Sequence, residues 1–186
     1  MFTRAQRKMK ALRRFARARR GSAAVEFALV LMPFFLLTFG LAEIAMIGFA
    51  QTSLDFGISQ VARQIRTGQA QMGGMTEAQI KGQLCDEINN FIVMGCGGNL
   101  YLDVRRFDSF VAASNNAQNP IQNNNFNSAG MGYQDSQPSD IVVVRAYYRW
   151  QIMTPLFESV FQNISGGQRI LVSTMMFRNE PYQRRP

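Results

Sequence analysis

A long apolar run directly after a cluster of positive charges is the feature that most constrains this chain. Residues 1–20 contain nine Arg and Lys residues and no acidic residue, and residues 27–42 contain no charged residue. A helix rises about 1.5 Å per residue, so about 20 residues cross a bilayer core of ~30 Å. Residues from Phe27 to about Met46 supply that length if Glu43 lies near the far interface. The sequence therefore predicts one membrane-spanning helix.

The position of the positive charge predicts the orientation of this helix. Basic residues that flank a membrane helix stay on the cytoplasmic side. The N-terminus is therefore expected in the cytoplasm and the residues beyond about Ala50 outside it. The rest of the chain after residue 20 carries 11 basic and 12 acidic residues, a net charge of −1. A nearly neutral body is not typical of a protein that binds nucleic acid.

The amino-acid inventory argues against an enzyme. The sequence has no His and only two Cys. Catalytic triads that need His, His-ligated metal sites and His proton shuttles are thereby excluded. Acidic residues such as Asp103, Asp108 and Glu158 form no recognisable catalytic motif. We expect no enzymatic activity, no metal, no cofactor and no small-molecule substrate.

The apolar run has three possible interpretations. A cleavable secretory signal has a shorter apolar core followed by small residues at the cleavage site, whereas this run is longer and its small residues precede it. An uncleaved signal anchor explains the charge and the length but not Glu26, because a carboxylate near the membrane is unfavourable without a partner. The third interpretation supplies that partner.

The stretch RGSAAVEF, residues 20–27, resembles the processing site of type IV prepilins, in which a basic leader ends in Gly and is followed by Glu and an aromatic residue. Cleavage between Gly21 and Ser22 would make Glu26 the fifth residue of the mature chain, followed by Phe27. The resemblance implies that the Glu26 carboxylate meets the N-terminal ammonium of a neighbouring subunit during assembly. The alternative is that Glu26 favours only the positive end of the helix dipole.

A longer match points to one branch of the pilin-like proteins. The stretch GSAAVEFALVL followed by Met32-Pro33 and later by GLAE, which ends at Glu43, resembles the opening of TadE-like pseudopilins of Tad (tight adherence) pilus systems. Near the other end, FRNEPY at residues 177–182 resembles the closing pattern of that family. The resemblance implies a minor pilin-like subunit that supports pilus assembly and adhesion. Its implied partners are the inner membrane, a prepilin peptidase, other pilin-like subunits and the Tad assembly platform.

Two residues inside the apolar run have open interpretations. Pro33 removes a backbone donor, so it is either a tolerated bend or a hinge used in assembly. Glu43 is expected to extend to the outer interface; the alternative is a pair with another subunit inside the membrane.

The exported part is predicted to be an α+β domain. Apolar residues at helical spacing extend the first helix to about Arg66 as an amphipathic stripe, which is either the base of the head or a contact with other subunits, the former being favoured. A capping box at Thr76 opens a second helix over 77–93. Strand-like runs at 100–107, 141–150 and 168–177 predict a three-stranded antiparallel sheet. A short helix at 154–161 is expected to direct Leu156, Phe157, Val160 and Phe161 inward.

The predicted organisation has four parts. They are a basic cytoplasmic leader at 1–21, a transmembrane helix at 22–50, an amphipathic extension and linker at 51–75, and a periplasmic α+β domain at 76–186. The segment 114–139 is rich in Asn and Gln and poor in large apolar residues, so we expect it to be mobile, the alternative being a loop ordered by contacts.

The two cysteines, Cys85 and Cys96, both lie on the exported side. An oxidising compartment favours a disulfide between them, with free thiols as the alternative. A zinc site would need ligands that the sequence lacks. By the chain-entropy estimate, so short a loop contributes roughly 3 kcal/mol of stability.

Overall fold

The computed structural model describes residues 19–89, 95–116 and 119–183, which form two compact units. The first ends at Ala42 and the second begins at Glu43. The second unit is called the head below. The division falls inside the segment that the sequence assigns to the membrane.

The first helix, α1, spans Arg19–Arg66 and belongs to both units. In the first unit its apolar side chains are exposed all round; they include Val25, Phe27, Leu29, Val30, Met32, Phe34, Phe35, Leu36, Leu37, Phe39 and Leu41. A helix that is apolar all round is typical of a membrane span. Among the described residues, α1 is the one helix whose length and composition suffice to cross a membrane, which is consistent with a single-pass membrane protein.

The head combines short helices with a three-stranded antiparallel sheet, so the predicted α+β fold class is confirmed. Its helices are α2 (Gln69–Met72), α3 (Glu77–Asn89), α4 (Phe110–Asn115) and α5 (Glu158–Phe161), with 3₁₀ turns at Gly97–Asn99 and Pro155–Phe157. The strands are β1 (Leu100–Phe107), a small hairpin of β2 (Ile121–Gln122) and β3 (Asn125–Phe126), β4 (Ile141–Gln151) and β5 (Gln168–Arg178). The sheet order is β1-β4-β5.

The head is organised around β4, the central strand. It pairs with β1 from Leu100 opposite Tyr148 to Phe107 opposite Ile141. On its other side it pairs with β5 over all eleven residues. Nearly every residue of β4 is buried because both faces of the sheet are covered, which explains its almost continuous apolar sequence.

One face of the sheet packs against α1 and α3. The α1 stripe of Leu54, Ile58, Val61 and Ile65 is fully buried in the main core with the α3 stripe of Ile80, Leu84 and Ile88. The interpretation of the amphipathic stripe as the base of the head is therefore confirmed. Gly57 lets the two helices approach closely, because a Cβ there would lie 2.8 Å from Cδ1 of Leu84.

The capping box is also present. The Thr76 N–H donates to Oε1 of Gln79 at 2.8 Å, and the Gln79 N–H donates to the Thr76 hydroxyl at 3.4 Å. The described part of α3 ends at Asn89, and residues 90–93 of the predicted helix lie outside the described residues.

The predicted inward face of the helix at 154–161 is half wrong. Leu156 and Val160 are about two-thirds exposed, at 66% and 67%, while Phe157 and Phe161 are partly buried and in contact with each other. The segment begins as a 3₁₀ turn and continues as one turn of α-helix. Since the two turn types have different periods, the four side chains do not share one face.

The disulfide between Cys85 and Cys96 is confirmed. It joins α3 to the turn before β1, and the two Cα atoms lie 5.6 Å apart. Gly95 directly precedes Cys96, and its carbonyl accepts a hydrogen bond from the Tyr148 hydroxyl at 2.9 Å. Burial raises the pKa of Tyr148, so its hydroxyl remains a donor over a wide pH range.

The expectation of a mobile Asn/Gln-rich segment is wrong for its described residues. The segment forms the β2–β3 hairpin and then runs beside β1, where the Val104 N–H donates to the Gly132 carbonyl at 2.8 Å and the Gln134 N–H donates to the Val104 carbonyl at 2.9 Å. Phe126 contacts the rings of Tyr101 and Tyr147. The segment is ordered by its contacts with the sheet, although its own composition is poor in large apolar residues.

A buried charge network holds this segment in place. Asp103 is 1% exposed and accepts from Nε of Arg105 at 2.9 Å, from Nη1 of Arg145 at 3.3 Å and from the Gly132 N–H at 3.4 Å. The two arginines in turn donate to the carbonyls of Gly130 and Asn116 in the segment. Burial also raises the pKa of the adjacent Tyr147, although Arg145 opposes the shift.

We predict that Asp103→Ala lowers the free energy of unfolding by about 3–5 kcal/mol, because it leaves the buried Arg145 without a counter-charge. Urea unfolding of the full chain in detergent, followed by fluorescence of Trp150, measures this change. Trp150 is the only Trp of the sequence and is buried in the head. Chymotrypsin should also cleave the 119–139 segment faster in this variant.

Asp86→Ala is the matched control, since Asp86 is exposed on α3 and such substitutions change stability by about 0.5 kcal/mol or less. Equal stability and equal cleavage of the two variants would show that the network does not hold the segment.

Candidate functional site

The candidate cleavage position lies in the first turn of α1, which begins at Arg19. Gly21 and Ser22 are both exposed, and a Cβ added to Gly21 would meet nothing within 4 Å. Local packing therefore does not require glycine at this position.

Glu26 lies one turn after Ser22 on the same face of α1. The Ser22 hydroxyl donates to Oε1 of Glu26 at 2.9 Å, and both side chains are exposed. Phe27, the next residue, is 66% exposed. The spacing thus brings the predicted N-terminal residue and the predicted acidic partner together within one chain, and leaves the carboxylate accessible to another chain.

Pro33 lies inside α1, and the helix continues through it. Its ring neither begins nor ends an element. The two interpretations of Pro33, a bend and an assembly hinge, both stay predictions.

Glu43 is the one fully buried carboxylate within the described part of α1, at 0% exposure. Its two oxygens accept from the Met153 N–H at 3.2 Å, the Thr154 N–H at 3.1 Å and the Thr154 hydroxyl at 2.9 Å. These donors belong to the turn that follows β4. Glu43, the first residue of the head, is therefore hydrogen-bonded to the turn at the C-terminal end of the central strand β4.

Glu43 therefore has partners in its own chain that neither interpretation of this residue named. Its extension to the outer interface and a pair with another subunit inside the membrane both stay predictions. Sequence reasoning missed the partners because Thr154 lies 111 residues away. The only available signal was the position of an acidic residue in an otherwise apolar helix.

The closing FRNEPY stretch packs against the end of α1. The Glu180 N–H donates to the Arg66 carbonyl at 2.9 Å, and their side chains form an exposed ion pair at 3.3 Å. Asn179 is buried and donates to the Ser136 hydroxyl and the Gln137 carbonyl, both at 2.9 Å.

The ring of Tyr182 completes this contact at Gly68. Gly68 has φ of 78°, and a Cβ there would lie 2.3 Å from the Tyr182 ring. The Tyr182 hydroxyl donates to the Ser136 carbonyl at 2.9 Å. The closing pattern therefore has a structural role within the head.

A known family matches the first part of the chain. Residues 21–63 match the TadE-like protein family. The matched residues include Gly21, Ser22, Glu26, Phe27, Pro33 and Glu43, whereas the disulfide and the closing stretch lie outside them. The resemblance seen in the sequence is confirmed over this TadE-like segment, which is consistent with a TadE-like pseudopilin.

No curated protein and no solved structure gives a significant match to the chain. Within the described ranges, no group of three or more His, Cys, Asp and Glu side chains is placed to hold a metal ion. The arrangement at the start of α1 offers a carboxylate, a hydroxyl and an exposed apolar surface, which are groups that can contact another helix.

We predict that Glu43→Gln lowers the free energy of unfolding of the head by about 1–3 kcal/mol, because the amide presents N–H donors to groups that are themselves donors. Urea unfolding of the full chain in detergent, with Trp150 fluorescence, measures the change.

Glu77→Gln is the control, since Glu77 is exposed in the first turn of α3 and its charge there is worth less than about 1 kcal/mol. If both variants lose the same stability, the buried contacts of Glu43 do not stabilise the head.

Proposed function

We propose that this protein is a minor pilin-like subunit of a Tad-type pilus or secretion apparatus, processed after Gly21 and needed for pilus assembly. The observation that carries the proposal is the TadE-like match at 21–63, which begins at Gly21 and contains Glu26 on an exposed apolar helix. The role is structural, and no substrate, cofactor or nucleic acid is part of it.

The charge distribution supports the proposed location in the bacterial inner membrane. Nine basic residues precede the apolar part of α1, and basic flanks remain cytoplasmic. The head would then lie in the periplasm, where an oxidising environment maintains the disulfide of Cys85 and Cys96. In this orientation the basic leader would be accessible to a prepilin peptidase.

The proposed cleavage changes the electrostatics around Glu26. In the uncut chain, the carboxylate accepts a hydrogen bond from the neutral Ser22 hydroxyl. Cleavage would convert the backbone nitrogen of Ser22 into an ammonium group. Attraction between opposite charges rises sharply as the surrounding dielectric constant falls, so an ammonium is a far better partner for a carboxylate in the membrane than a hydroxyl.

The exposed position of Glu26 allows this partner to come from a neighbouring subunit. Around it, the exposed Phe and Leu side chains of the first unit provide surface for packing against other apolar helices. Helices in a membrane associate through such packing and through polar contacts. The proposed partners are other pilin-like subunits and the Tad assembly platform.

We predict that the mature chain begins at Ser22 with a free amine and that Gly21→Leu leaves the leader attached. Intact mass and N-terminal peptide mass spectrometry, on protein from cells with an active prepilin peptidase, measure both results. The structure gives space for the new side chain, so the helix itself should persist.

Gly48→Leu is a matched control, because Gly48 is another α1 glycine at which an added Cβ meets nothing within 4 Å. Its leader should be removed normally. An intact Met1 on the wild-type chain in peptidase-competent cells would refute processing.

We predict that Glu26→Gln leaves processing unchanged but strongly reduces pilus assembly. The amide oxygen can still accept from the Ser22 hydroxyl, so the contact within the chain is kept while the negative charge is lost. Counts of assembled pili, together with mass spectrometry of the N-terminus, separate the two effects.

Glu77→Gln serves again as the control, since it removes one negative charge from an exposed part of the head. Normal pili with Glu26→Gln on an uncut chain would favour the alternative function, an uncleaved signal-anchored periplasmic scaffold or binding protein.

A further inference from the structure

The two edge strands of the sheet in the head, β1 and β5, differ in how their outward-facing backbone groups are hydrogen-bonded. On the β1 edge, Val104 both donates to and accepts from the 132–134 segment, as described above. On the β5 edge, no further strand pairs with the sheet among the described residues. Unpaired strand edges bind extended polypeptide readily, so proteins normally cover them.

The chain covers the first part of the β5 edge with amide side chains. Asn163 accepts from the Ile170 N–H at 2.7 Å and donates to the Ile170 carbonyl at 3.2 Å, as a neighbouring strand would. Gln51 of α1 donates to the Val172 carbonyl at 2.9 Å. At the other end, Glu180 donates its N–H to the Arg66 carbonyl.

Thr174 and Met176 lie between these covered positions. Gly167 and Asn179 make backbone hydrogen bonds toward the β4 side, so the odd-numbered residues of β5 face β4 and the even-numbered ones face the edge. In the described part of the chain, no partner is present for the edge-facing backbone groups of Thr174 and Met176. From Thr174 to Arg178 the open edge spans about 14 Å at ~3.4 Å per residue.

A groove of about 480 Å³ runs beside this open edge. One wall is α1, with Ser59, Ala62 and Arg63, and the other is the last part of β5 with Glu180. On the opposite face of the sheet, Val172 and Met176 are 42% and 41% exposed. A strand added here would therefore have a polar, helix-side face and an apolar face.

The charge of the groove determines which side chains an added strand could direct toward α1. Arg66 is paired with Glu180, whereas Arg63 is exposed and makes no ion pair among the described residues. The positive charge of this groove is therefore not balanced locally, and it complements an acidic side chain.

We propose that the open edge of β5 at Thr174 and Met176 binds an extended acidic segment of another protein as a fourth strand. The segment alternates an acidic or small polar residue, facing Arg63, with apolar residues that contact Val172 and Met176. Recognition combines backbone hydrogen bonds with side-chain selection, as in other cases of strand addition. This surface is independent of cleavage after Gly21.

The test uses a fluorescein-labelled peptide, Ser-Val-Asp-Val-Ser-Val, and the full chain in detergent micelles, with binding measured by fluorescence anisotropy. We expect saturable binding of this peptide and at least about tenfold weaker binding of Ser-Val-Lys-Val-Ser-Val, a difference of about 1.4 kcal/mol. Arg63→Glu should reverse the preference between the two peptides.

Backbone recognition is tested with Met176→Pro, which removes an edge N–H that the head does not itself use. We expect a loss of at least about tenfold, while Met176→Ala, which keeps the N–H, should bind within about threefold of wild type. Unfolding followed by Trp150 fluorescence shows whether the proline variant is folded.

Peptides with N-methyl groups test the same point on the wild-type protein. Methylation of one alternate set of nitrogens should abolish binding, and methylation of the other set should preserve it. Equal binding of both methylated peptides, or no binding of the Asp peptide up to about 1 mM, would overturn the proposal. Dimers of the full chain that disappear with Met176→Pro would also overturn it, since the occupant would then be a second copy.

Discussion

The helix α1 is exposed on all sides in its first part and packed against a sheet in its second part, and the rest of the structure depends on this change. Up to Ala42, α1 exposes apolar side chains on all sides, whereas from Leu54 to Ile65 it buries a single stripe against the sheet. The change requires no break in the backbone hydrogen bonding of the helix. Only the side chains change in character, and Glu43 is where the contacts with the rest of the head begin.

The head is held together by contacts between residues far apart in sequence. Glu43 contacts Thr154, Gln51 contacts Val172 and Arg66 contacts Glu180. All three connect α1 to the second half of the chain. Beneath them lies the apolar core, which supplies most of the favourable free energy, while the polar contacts determine which turn of α1 meets which strand.

Local pattern was enough to predict much of this fold. The bounds of β1 agree with the structure, those of β4 and β5 differ by one residue, and the α1 stripe, the capping box and the disulfide are where the sequence placed them. Each depends on residues close together in sequence, or on the small number of cysteines. Segments 119–139 and 154–161 were misjudged for different reasons. The first is ordered by Asp103 and Arg145, which face each other only through strand register, and the second changes helix type midway.

In the candidate site, too, the sequence predicted the contacts between near neighbours but not those between distant residues. That Ser22 and Glu26 share one exposed face followed from a spacing of four residues, but the burial of Glu43 could not follow from any local pattern. The proposed cleavage after Gly21 would depend on recognition of the leader by a peptidase, and the fold does not contain that information.

The position of β5 in the chain has a consequence for synthesis. This strand and the closing stretch after it are synthesised after the other described elements of the head, yet they cover one side of β4 and bind the end of α1. Until they emerge, the central strand has one open side, and the apolar stripe of α1 has an incomplete sheet to pack on. The head can therefore close only after these residues have emerged from the ribosome, and a chain that stops near residue 167 would expose the unpaired side of β4 and be prone to aggregation.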